Sequence, residues 1–538
     1  MLNDTAGICR RLRQRAPTPS VSPHMNRKIL SLALLASLLT ACGGGEDAVA
    51  PPPPPQPPPV VVGPAWPTFG GDAQHAALST IASQPLARIL WQTPVDTAPQ
   101  YGGGGSYLLT HYGSPVITAK NTVMVPVKTT ASGGFRFEAR SGTTGTLLWS
   151  ATSDYVVPPH NWFPSYNLTL TANARVYAPG AGGKLYYRDD VDSATGTVQT
   201  VVFYGWDAYT AAPATFDAAV TINTPLTIDS AGNVFFGFIA TSNPAGVVSG
   251  FARMTAAGNG TWISATAAAN DAGIDRPAMN SAPAISRDGA VVYVAVTNAQ
   301  GTGYLLGLDS ATLTPLARRA LLDPITGVSA FISPDGTASP TVGPDGDVYF
   351  GVLESNRPGH NYRGWLLHFN GSLTQTKIPG GFGWDDTASI VPAAAVPSYA
   401  GASTYLLMTK YNNYGGVGTG DGKNRMAILD PGQSAPDRIT GNATMAEVLT
   451  VLGPTADPGY AGGVKEWCVN TAVVDPLTKS VLVNSEDGQM YRWNLVTNTL
   501  SEQIRFTNGL GESYTPTALG PDGVIYAINN AVLFAVGR

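Results

Sequence analysis

The chain has 538 residues, a net charge of −5 and a charged fraction of only 12%. Its 61 glycines and 43 prolines favour turns over helices, so the composition excludes a mainly helical protein and indicates many short strands. The acidic balance argues against nucleic acid as a partner, because it would repel phosphate backbones.

Residues 25–41 are typical of a bacterial secretion signal. Arg27 and Lys28 give it a basic start, and residues 29–39 form an apolar run that is too short to cross a bilayer as a helix. Residues 1–24 precede this signal and carry four arginines, which is not typical of a signal peptide. We therefore predict that Met25 is the true start and that residues 1–24 are a mis-assigned start or an unstructured extension.

The signal ends with Leu39-Thr-Ala-Cys42, which resembles the lipobox of bacterial lipoproteins. In that family the cysteine is acylated and becomes the first mature residue. The resemblance implies a lipid such as palmitate on Cys42 and, with Gly43 in place of aspartate, a location at the outer membrane of the cell envelope. The alternative is an ordinary secreted protein with a chance cysteine at this position.

Residues 42–64 contain the proline runs 51–55 and 57–59. Consecutive prolines favour extended polyproline II, at about 3.1 Å per residue. The segment is therefore predicted to be a semi-rigid tether that holds the folded part away from the membrane. Recognition by a proline-binding partner is the less favoured alternative.

From residue 65 onward one pattern recurs: a small residue with proline, a few apolar residues, a tight turn and an apolar strand. Several of the turns are Asp-Gly, which is typical of hairpins because glycine accepts a positive φ. Clear copies begin at Ser114, Thr224, Ala282, Ser339 and Thr515, and weaker copies begin near Tyr166, Ser389 and Asn470. The central copies recur at somewhat more than the ~40–50 residues of a four-stranded propeller blade.

Eight copies predict that residues 65–538 form one all-β domain, an eight-bladed β-propeller of four-stranded antiparallel blades, with seven blades as the alternative. The last copy ends with Leu533-Phe-Ala-Val-Gly-Arg538, one strand short of a complete blade. We expect Arg88-Ile-Leu-Trp-Gln-Thr-Pro-Val95 to supply that strand, so that N-terminal and C-terminal strands close the ring together.

Three segments carry a family resemblance: Trp66-Pro-Thr-Phe-Gly-Gly-Asp-Ala-Gln-His75, Ile89-Leu-Trp91, and residues 134–149 with their Ala-x-x-Gly-x-x-x-Trp pattern. They resemble the pyrroloquinoline-quinone-type repeat of quinoprotein dehydrogenases and of the outer-membrane barrel-assembly lipoprotein. The resemblance implies an eight-bladed propeller. Because members differ widely in function, it implies architecture rather than activity.

Quinone binding itself is not favoured. Quinoprotein alcohol dehydrogenases typically carry an adjacent cysteine pair beside the cofactor, whereas the chain from Cys42 onward has only Cys42 and Cys468. No clear set of Glu, Asn and Asp ligands for the accompanying calcium is visible either. We therefore expect no cofactor, pyrroloquinoline quinone included, and keep a quinone-dependent oxidoreductase as the alternative.

The stretches just before each small-residue and proline signal are predicted to be loops around a central funnel. Aromatic and charged residues concentrate there, with His111-Tyr112 before the first copy. The candidate ligand-binding residues are Trp162, Arg276, Asn280, Trp384, Asp385, Asp386, Glu466, Trp467 and Glu512. The tryptophans would stack on a sugar or another flat ligand, and the charged residues would form hydrogen bonds. The competing interpretation is that the tryptophans pack between blades and the acids cap turns.

Catalytic carboxylates are a weaker hypothesis. A glycan-active hydrolase or lyase would need two of them at a defined separation, and Glu466 with Glu512 is the pair that remains. Asp385 and Asp386 are adjacent, so on a strand they would point to opposite faces and would not pair.

Other polar residues are assigned to structure. Asp335-Gly336 and Asp345-Gly346-Asp347 are explained by turns without calcium. His360 and His368 do not make a zinc site, and Cys468 is expected to be a small buried side chain. The sequence thus favours a lipid-anchored envelope propeller that acts as a non-catalytic binding or scaffolding module, with an envelope protein or a glycan as its partner.

Overall fold

The computed structural model describes residues 62–102, 107–131, 133–157, 166–333, 336, 338–509 and 513–538. The predictions for residues 1–24, the signal peptide, Cys42 and nearly all of the tether lie outside these residues. So do those for Asp335, Trp162 and Glu512.

Eight of the antiparallel sheets are the blades of a ring, and in blades 1 to 7 the sequence order runs from the innermost strand outward. Blade 1 has Val116–Ile117, Thr122–Thr130, Gly133–Ser141 and Leu147–Ser153; blade 2 has Thr169–Leu170, Val176–Pro179, Lys184–Arg188 and Gln199–Val202; blade 3 has Val220–Ile222 with Thr227–Ile228, then Val234–Ala240, Gly250–Met254 and Gly260–Ser264; blade 4 has Arg276–Pro277 with Ala284–Ile285, then Val291–Thr297, Gly303–Asp309 and Pro315–Ala320. Blade 5 has Thr341–Val342, Val348–Val352 and Trp365–Phe369; blade 6 has Ser389–Pro392, Tyr405–Tyr411, Arg425–Pro436 and Ala443–Leu452; blade 7 has Val473–Asp475, Ser480–Asn484, Gln489–Asn494 and Thr499–Arg505; blade 8 has Ala518–Leu519, Ile525–Asn529, Val532–Gly537 and Arg88–Pro94.

The predicted eight-bladed propeller is therefore confirmed, and so is its closure. Arg88–Pro94 pairs antiparallel with Val532–Gly537 as the outermost strand of blade 8. In blade 5 the fourth strand is reduced to two isolated bridges, from Leu366 to Gly380 and from Phe369 to Thr376.

Helices are few and short. The α-helices are α1 (Trp206–Ala211), α2 (Pro213–Ala219) and α3 (Ala265–Ala269), and the 3-10 turns are Ala181–Gly183, Pro244–Gly246, Arg357–His360 and Ala393–Ala395. Outside the blades, Tyr101–Gly102 pairs with Tyr107–Leu108. Within the described ranges, no helix has the length and apolar character to cross a membrane.

The Asp-Gly pairs do make the inner hairpin turns. Gly346 and Gly523 have φ values of 87° and 80°, a conformation that only glycine adopts without strain. In the first of these turns a carboxylate oxygen of Asp345 accepts a hydrogen bond of 3.0 Å from the backbone N–H of Asp347. The aspartates therefore stabilise the turns, as the turn assignment predicted.

Burial follows the position of a strand within its blade. Val291–Thr297, the second strand of blade 4, is buried along nearly its whole length because both of its faces pack against neighbouring blades. Thr499–Arg505, the outermost strand of blade 7, alternates between exposed and half-buried residues. The hydrophobic core is thus a set of layers between blades, where each fully buried aliphatic side chain contributes roughly 1.5–3 kcal/mol.

The propeller has two faces. We call the side where an outermost strand leads to the next innermost strand the mouth face, and the side of the inner hairpin turns the turn face. A segment near the start of the described chain, Trp66–Leu86, which we call the belt, runs around the axis near the turn face.

The belt bonds to all eight blades in order. Its partners in blades 1 to 8 are Ile117, Leu170, Leu226, Ile285, Val342, Ile390, Val474 and Gly523, at 2.7–3.0 Å. In blades 1 and 7 the bonds are reciprocal, as between Trp66 and Ile117, where each N–H donates to the other's carbonyl at 2.8 Å. The belt therefore ties the eight blades together at or beside their innermost strands.

Nearer the mouth face, side chains join neighbouring innermost strands. The backbone N–H of Ala282 donates to the hydroxyl of Ser339 at 2.9 Å, and the N–H of Ser339 donates to the hydroxyl of Thr387 at 2.9 Å. The hydroxyl of Thr515 donates to the Tyr112 carbonyl at 2.9 Å, which links blade 8 to the segment before blade 1. The small polar residues of the repeat therefore form hydrogen bonds between blades.

Candidate functional site

The predicted funnel residues fall into distinct environments. Asn280, Asp385, Asp386 and Trp467 are buried. Trp384 and Glu466 are half-buried, and Arg276 is exposed at the mouth face. The described candidates therefore differ widely in exposure, and of these Trp384 and Asp385 line one small cavity of about 20 Å³ together.

Arg276 and Trp467 show the two extremes. The guanidinium of Arg276 forms an ion pair with Asp275 at 2.6 Å on the rim. Trp467 is only 1% exposed, lies edge-to-face against Tyr491 at 5.7 Å, and exchanges backbone hydrogen bonds of 3.1 Å with the Asn412 side chain. Its environment is the one expected of a tryptophan that packs between blades, with no face left for stacking on a ligand.

Near the axis, His111, Asn280 and Tyr514 meet from three different parts of the chain. Nδ2 of Asn280 lies 3.5 Å from Nδ1 of His111, and the His111 and Tyr514 rings meet edge-to-face with centroids 5.1 Å apart. Burial lowers the pKa of His111 to about 4, and the nearby ammonium of Lys410 lowers it further against the opposing effect of Asp385. The imidazole is therefore neutral at pH 7 and interacts through polar contacts rather than through charge.

Asp385 and Asp386 lie at a turn before the first strand of blade 6, in one of the stretches predicted to be loops. Asp385 has a φ of 58°, so the backbone is left-handed at this point and the alternation of side chains along a strand does not apply to this pair. Burial raises the pKa of Asp386 well above its usual range, Lys410 opposes the shift, and the neighbouring carboxylate of Asp385 adds to it. Oδ2 of Asp386 has no hydrogen-bond partner among the described residues. This site favours the protonated form of Asp386.

Lys410 is a member of the cluster that the sequence analysis missed. It is 2% exposed, and its ammonium lies 5.3 Å from the centroid of the Tyr514 ring and 5.8 Å from that of Phe382. The signal was a lysine near the end of the otherwise apolar strand Tyr405–Tyr411, where a charged side chain is costly unless it is partnered. A lysine in such a strand marks a polar site on the buried side of the sheet.

The described residues of this cluster leave little space between them. A cavity of about 10 Å³ lies among Phe69 of the belt, His111, Asn167, Asn280 and Tyr514. This volume accommodates about one water molecule. The cluster thus interlocks buried polar groups and provides no chamber for a larger ligand among the described residues.

The histidines and the cysteine that could be considered as metal ligands have polar contacts with other protein side chains. His368 bonds Asp347 at 2.9 Å, and His360 lies 3.4 Å from Asp437, so the two histidines belong to separate networks. Cys468 is buried and its thiol donates to Glu486 at 3.1 Å. Across the described ranges, no three His, Cys, Asp or Glu side chains are grouped to hold a metal ion.

His75, in the belt, predicts a dependence of stability on pH. Nδ1 donates to the Pro340 carbonyl at 2.7 Å, and burial lowers the pKa of the ring to about 4, from 6.5. The unfolded chain therefore binds a proton that the folded chain does not between pH 6.5 and 4. Stability is full above pH 6.5 and falls as the pH drops through this window, by roughly 3 kcal/mol for this residue.

The measurement is urea unfolding of the wild type and His75→Asn from pH 4 to 8. Asparagine keeps the Nδ donor and tolerates the positive φ of 60°, but does not titrate. The advantage of the wild type should be largest above pH 6.5 and shrink by roughly 3 kcal/mol at pH 4. The measured quantity is the difference in stability between the two proteins. This choice is needed because burial raises the pKa of Glu354 to about 7, so Glu354 makes the stability of both proteins change with pH in the opposite direction. A constant difference would contradict the prediction.

Solved structures share the fold at low sequence identity. The europium-containing methanol dehydrogenase matches with a TM-score of 0.51 and 10% identity, over 86% of this chain and 88% of that one. The quinohemoprotein alcohol dehydrogenase from Comamonas testosteroni gives 0.52 and 12%, over 88% and 77%. BamB from Moraxella catarrhalis gives 0.44 and 12%, over 84% and 99%. No protein-family model and no curated protein sequence matches this chain.

The first two structures confirm the resemblance that the repeat motifs predicted, at the level of architecture. An identity of 10–12% shows the fold and does not carry activity, cofactor or partner from one protein to another. The chain has the propeller fold of the quinoprotein dehydrogenases.

Proposed function

We propose that this protein is a lipid-anchored envelope module that binds or scaffolds a partner without catalysing a reaction. The observation that supports this most is the contact among the described residues His111, Asn280 and Tyr514, which leave a cavity of about 10 Å³ between them, room for about one water molecule. Small-molecule sites in proteins generally occupy roughly 300–1,000 Å³. A surface that binds a macromolecule needs no such chamber.

The same observation bears on pyrroloquinoline quinone, the cofactor of this fold family. A flat tricyclic quinone is much larger than the cavity of about 10 Å³ beside His111, Asn280 and Tyr514, which supports a site without this cofactor. The chain from Cys42 onward also lacks the adjacent cysteine pair of the alcohol dehydrogenases. We therefore propose a protein without this cofactor.

The position of the belt supports an orientation on the membrane. The backbone N–H of Gly63, at the end of the tether, donates to the Ala119 carbonyl at 3.0 Å, in the inner turn of blade 1. The tether would therefore join the propeller at the turn face. If Cys42 carries the lipid, the mouth face points away from the membrane and is available to a partner.

The anchor is tested by the intact mass of the mature protein from its source cell. A mass that begins at Cys42 and includes acyl chains is expected, and Cys42→Ser should move the protein from the membrane fraction to the soluble fraction. A mature chain without fatty acid would contradict the anchoring.

The partner face is tested with two exposed, ion-paired basic residues on opposite faces. Arg276 is at the mouth face, and Lys120 is in the turn face hairpin of blade 1, 3.9 Å from Asp192. The basic side chains are 46% and 61% exposed, so breaking either pair costs at most about 1 kcal/mol. Cross-linking followed by purification should recover about fivefold less partner with Arg276→Glu and an unchanged amount with Lys120→Glu.

Absorbance and native mass of the purified protein separate this proposal from its enzyme rivals. A partner protein in the complex supports the module. A bound chromophore would establish the quinone enzyme instead, and turnover of a polysaccharide that Glu466→Gln abolishes would establish a glycan-active enzyme. Either result would overturn the proposal.

A further inference from the structure

A groove lies on the outer flank of the propeller between blades 2 and 3, away from the axis. Residues 200–206, which continue from the outermost strand of blade 2, form one side. Residues 258–260 and Trp262, at the outermost strand of blade 3, form the other. Its volume is about 520 Å³, which is within the usual range of ligand sites.

No charged side chain lines this groove. Aromatic residues flank it instead. Trp206 is 49% exposed although it begins helix α1, and it leans on Tyr209 with ring centroids 5.4 Å apart. Trp262 is half-buried and supported by Phe238 at 6.0 Å, so both indole rings are held in place by a second ring.

Polar groups in the groove are uncommitted. The hydroxyl of Thr200, the side-chain amide of Asn259 and the indole N–H groups of Trp206 and Trp262 form no hydrogen bond with other described residues. A ligand that suits this surface has apolar faces for the indoles and neutral hydroxyls for the donors and acceptors. It carries no charge, because the groove offers none to balance it.

We propose that this groove binds a neutral oligosaccharide, with sugar rings stacked on Trp206 and Trp262 and hydroxyls bonded to Asn259 and Thr200. A peptide strand added to the blade edge is the main rival. It is disfavoured because the two blade edges converge here: a Cβ on Gly260 would lie 2.0 Å from the Phe203 carbonyl oxygen, which leaves no slot for another strand. This site is separate from the axial cluster and from the proposed partner face.

The tryptophans of this groove are not the ones that the sequence predicted to stack on a ligand. Trp467 is enclosed in the core, whereas Trp206 is in open contact with solvent. Single exposed apolar residues are common on protein surfaces. The combination of two supported indoles, an uncharged groove and unbonded polar groups is what indicates a carbohydrate.

The test is calorimetric titration of the intact protein with cellohexaose, maltohexaose and chitohexaose, alongside charged hexagalacturonate and an extended hexapeptide. At least one neutral hexasaccharide should bind with a Kd below about 1 mM. Trp206→Ala should weaken binding about tenfold or more, Asn259→Ala a few fold, and Trp206→Phe less than Trp206→Ala. Tyr101→Ala, which removes an aromatic of 38% exposure elsewhere, is the control and should leave binding unchanged.

Circular dichroism and melting curves of the variants show whether each one folds. Three results would overturn the proposal: no neutral sugar bound at millimolar concentration, preference for the uronate or the peptide, or sugar binding that Trp206→Ala leaves intact. Loss of sugar binding would not affect the scaffold proposal, whose readout is the partner recovered with Arg276→Glu.

Discussion

Replacing Asp96 by alanine is expected to lower the free energy of unfolding by about 3–5 kcal/mol. Oδ2 of Asp96 accepts hydrogen bonds from the Lys128 ammonium at 3.0 Å and from the Tyr112 hydroxyl at 2.8 Å. The Lys128 and Asp96 side chains are 1% and 0% exposed. Removing the carboxylate leaves a buried ammonium without its counter-charge, which is the costly way to break such a pair.

The Asp96–Lys128 pair lies where blade 8 meets blade 1, so losing it should weaken the closure of the ring. Asp96 lies two residues after the closing strand Arg88–Pro94 of blade 8, and Lys128 lies in the second strand of blade 1. Urea unfolding is the measurement. The double variant Asp96→Ala with Lys128→Met removes both charges and should recover most of the loss, because no charge then remains buried. Equal destabilisation in the single and double variants would contradict the explanation.

Phe69→Ala should cost about 3–5 kcal/mol, as truncation of a buried aromatic generally does. Phe69 is 5% exposed, meets His75 edge-to-face with centroids 5.0 Å apart, and forms a wall of the axial cavity. The belt bonds to innermost strands on both sides of this residue. A cavity at Phe69 therefore weakens the contact of the belt with the whole ring rather than with one blade.

Unfolding in urea again gives the magnitude, and Leu477→Ala provides the control. Leu477 is 63% exposed, so its truncation should change stability by less than about 0.5 kcal/mol. If Phe69→Ala were equally mild, the belt would contribute little to the fold.

The repeat of the fold could be predicted from the sequence, because the turns that define it depend on local chemistry. Asp345-Gly346-Asp347 makes a hairpin whatever surrounds it, since the glycine permits the turn and the first aspartate stabilises it. The closing strand was also predictable, because a chain that ends one strand short of a blade needs its partner from elsewhere. The seven-bladed alternative was wrong, because the weak copies near Tyr166, Ser389 and Asn470 each begin a complete blade.

The belt could not be predicted in this way. The hydrogen bonds of the belt use mainly backbone groups and join residues far apart in sequence. No periodic pattern in Trp66–Leu86 therefore indicates them. The left-handed turn at Asp385 depends on its surroundings, and the role of Lys410 depends on which side chains the ring brings together. The repeat places residues near the axis, but tertiary packing decides which of them are buried.

The belt and the closing strand together constrain how this polypeptide reaches its native state. Both are synthesised early, yet Arg88–Pro94 cannot pair until Val532–Gly537, at the far end of the chain, has been made. Such long-range pairing makes folding slow, since a large loop must close before its contacts stabilise it. Newly made chains would therefore hold exposed β-edges until synthesis finishes, and truncation from either end should yield aggregation-prone fragments rather than smaller closed rings.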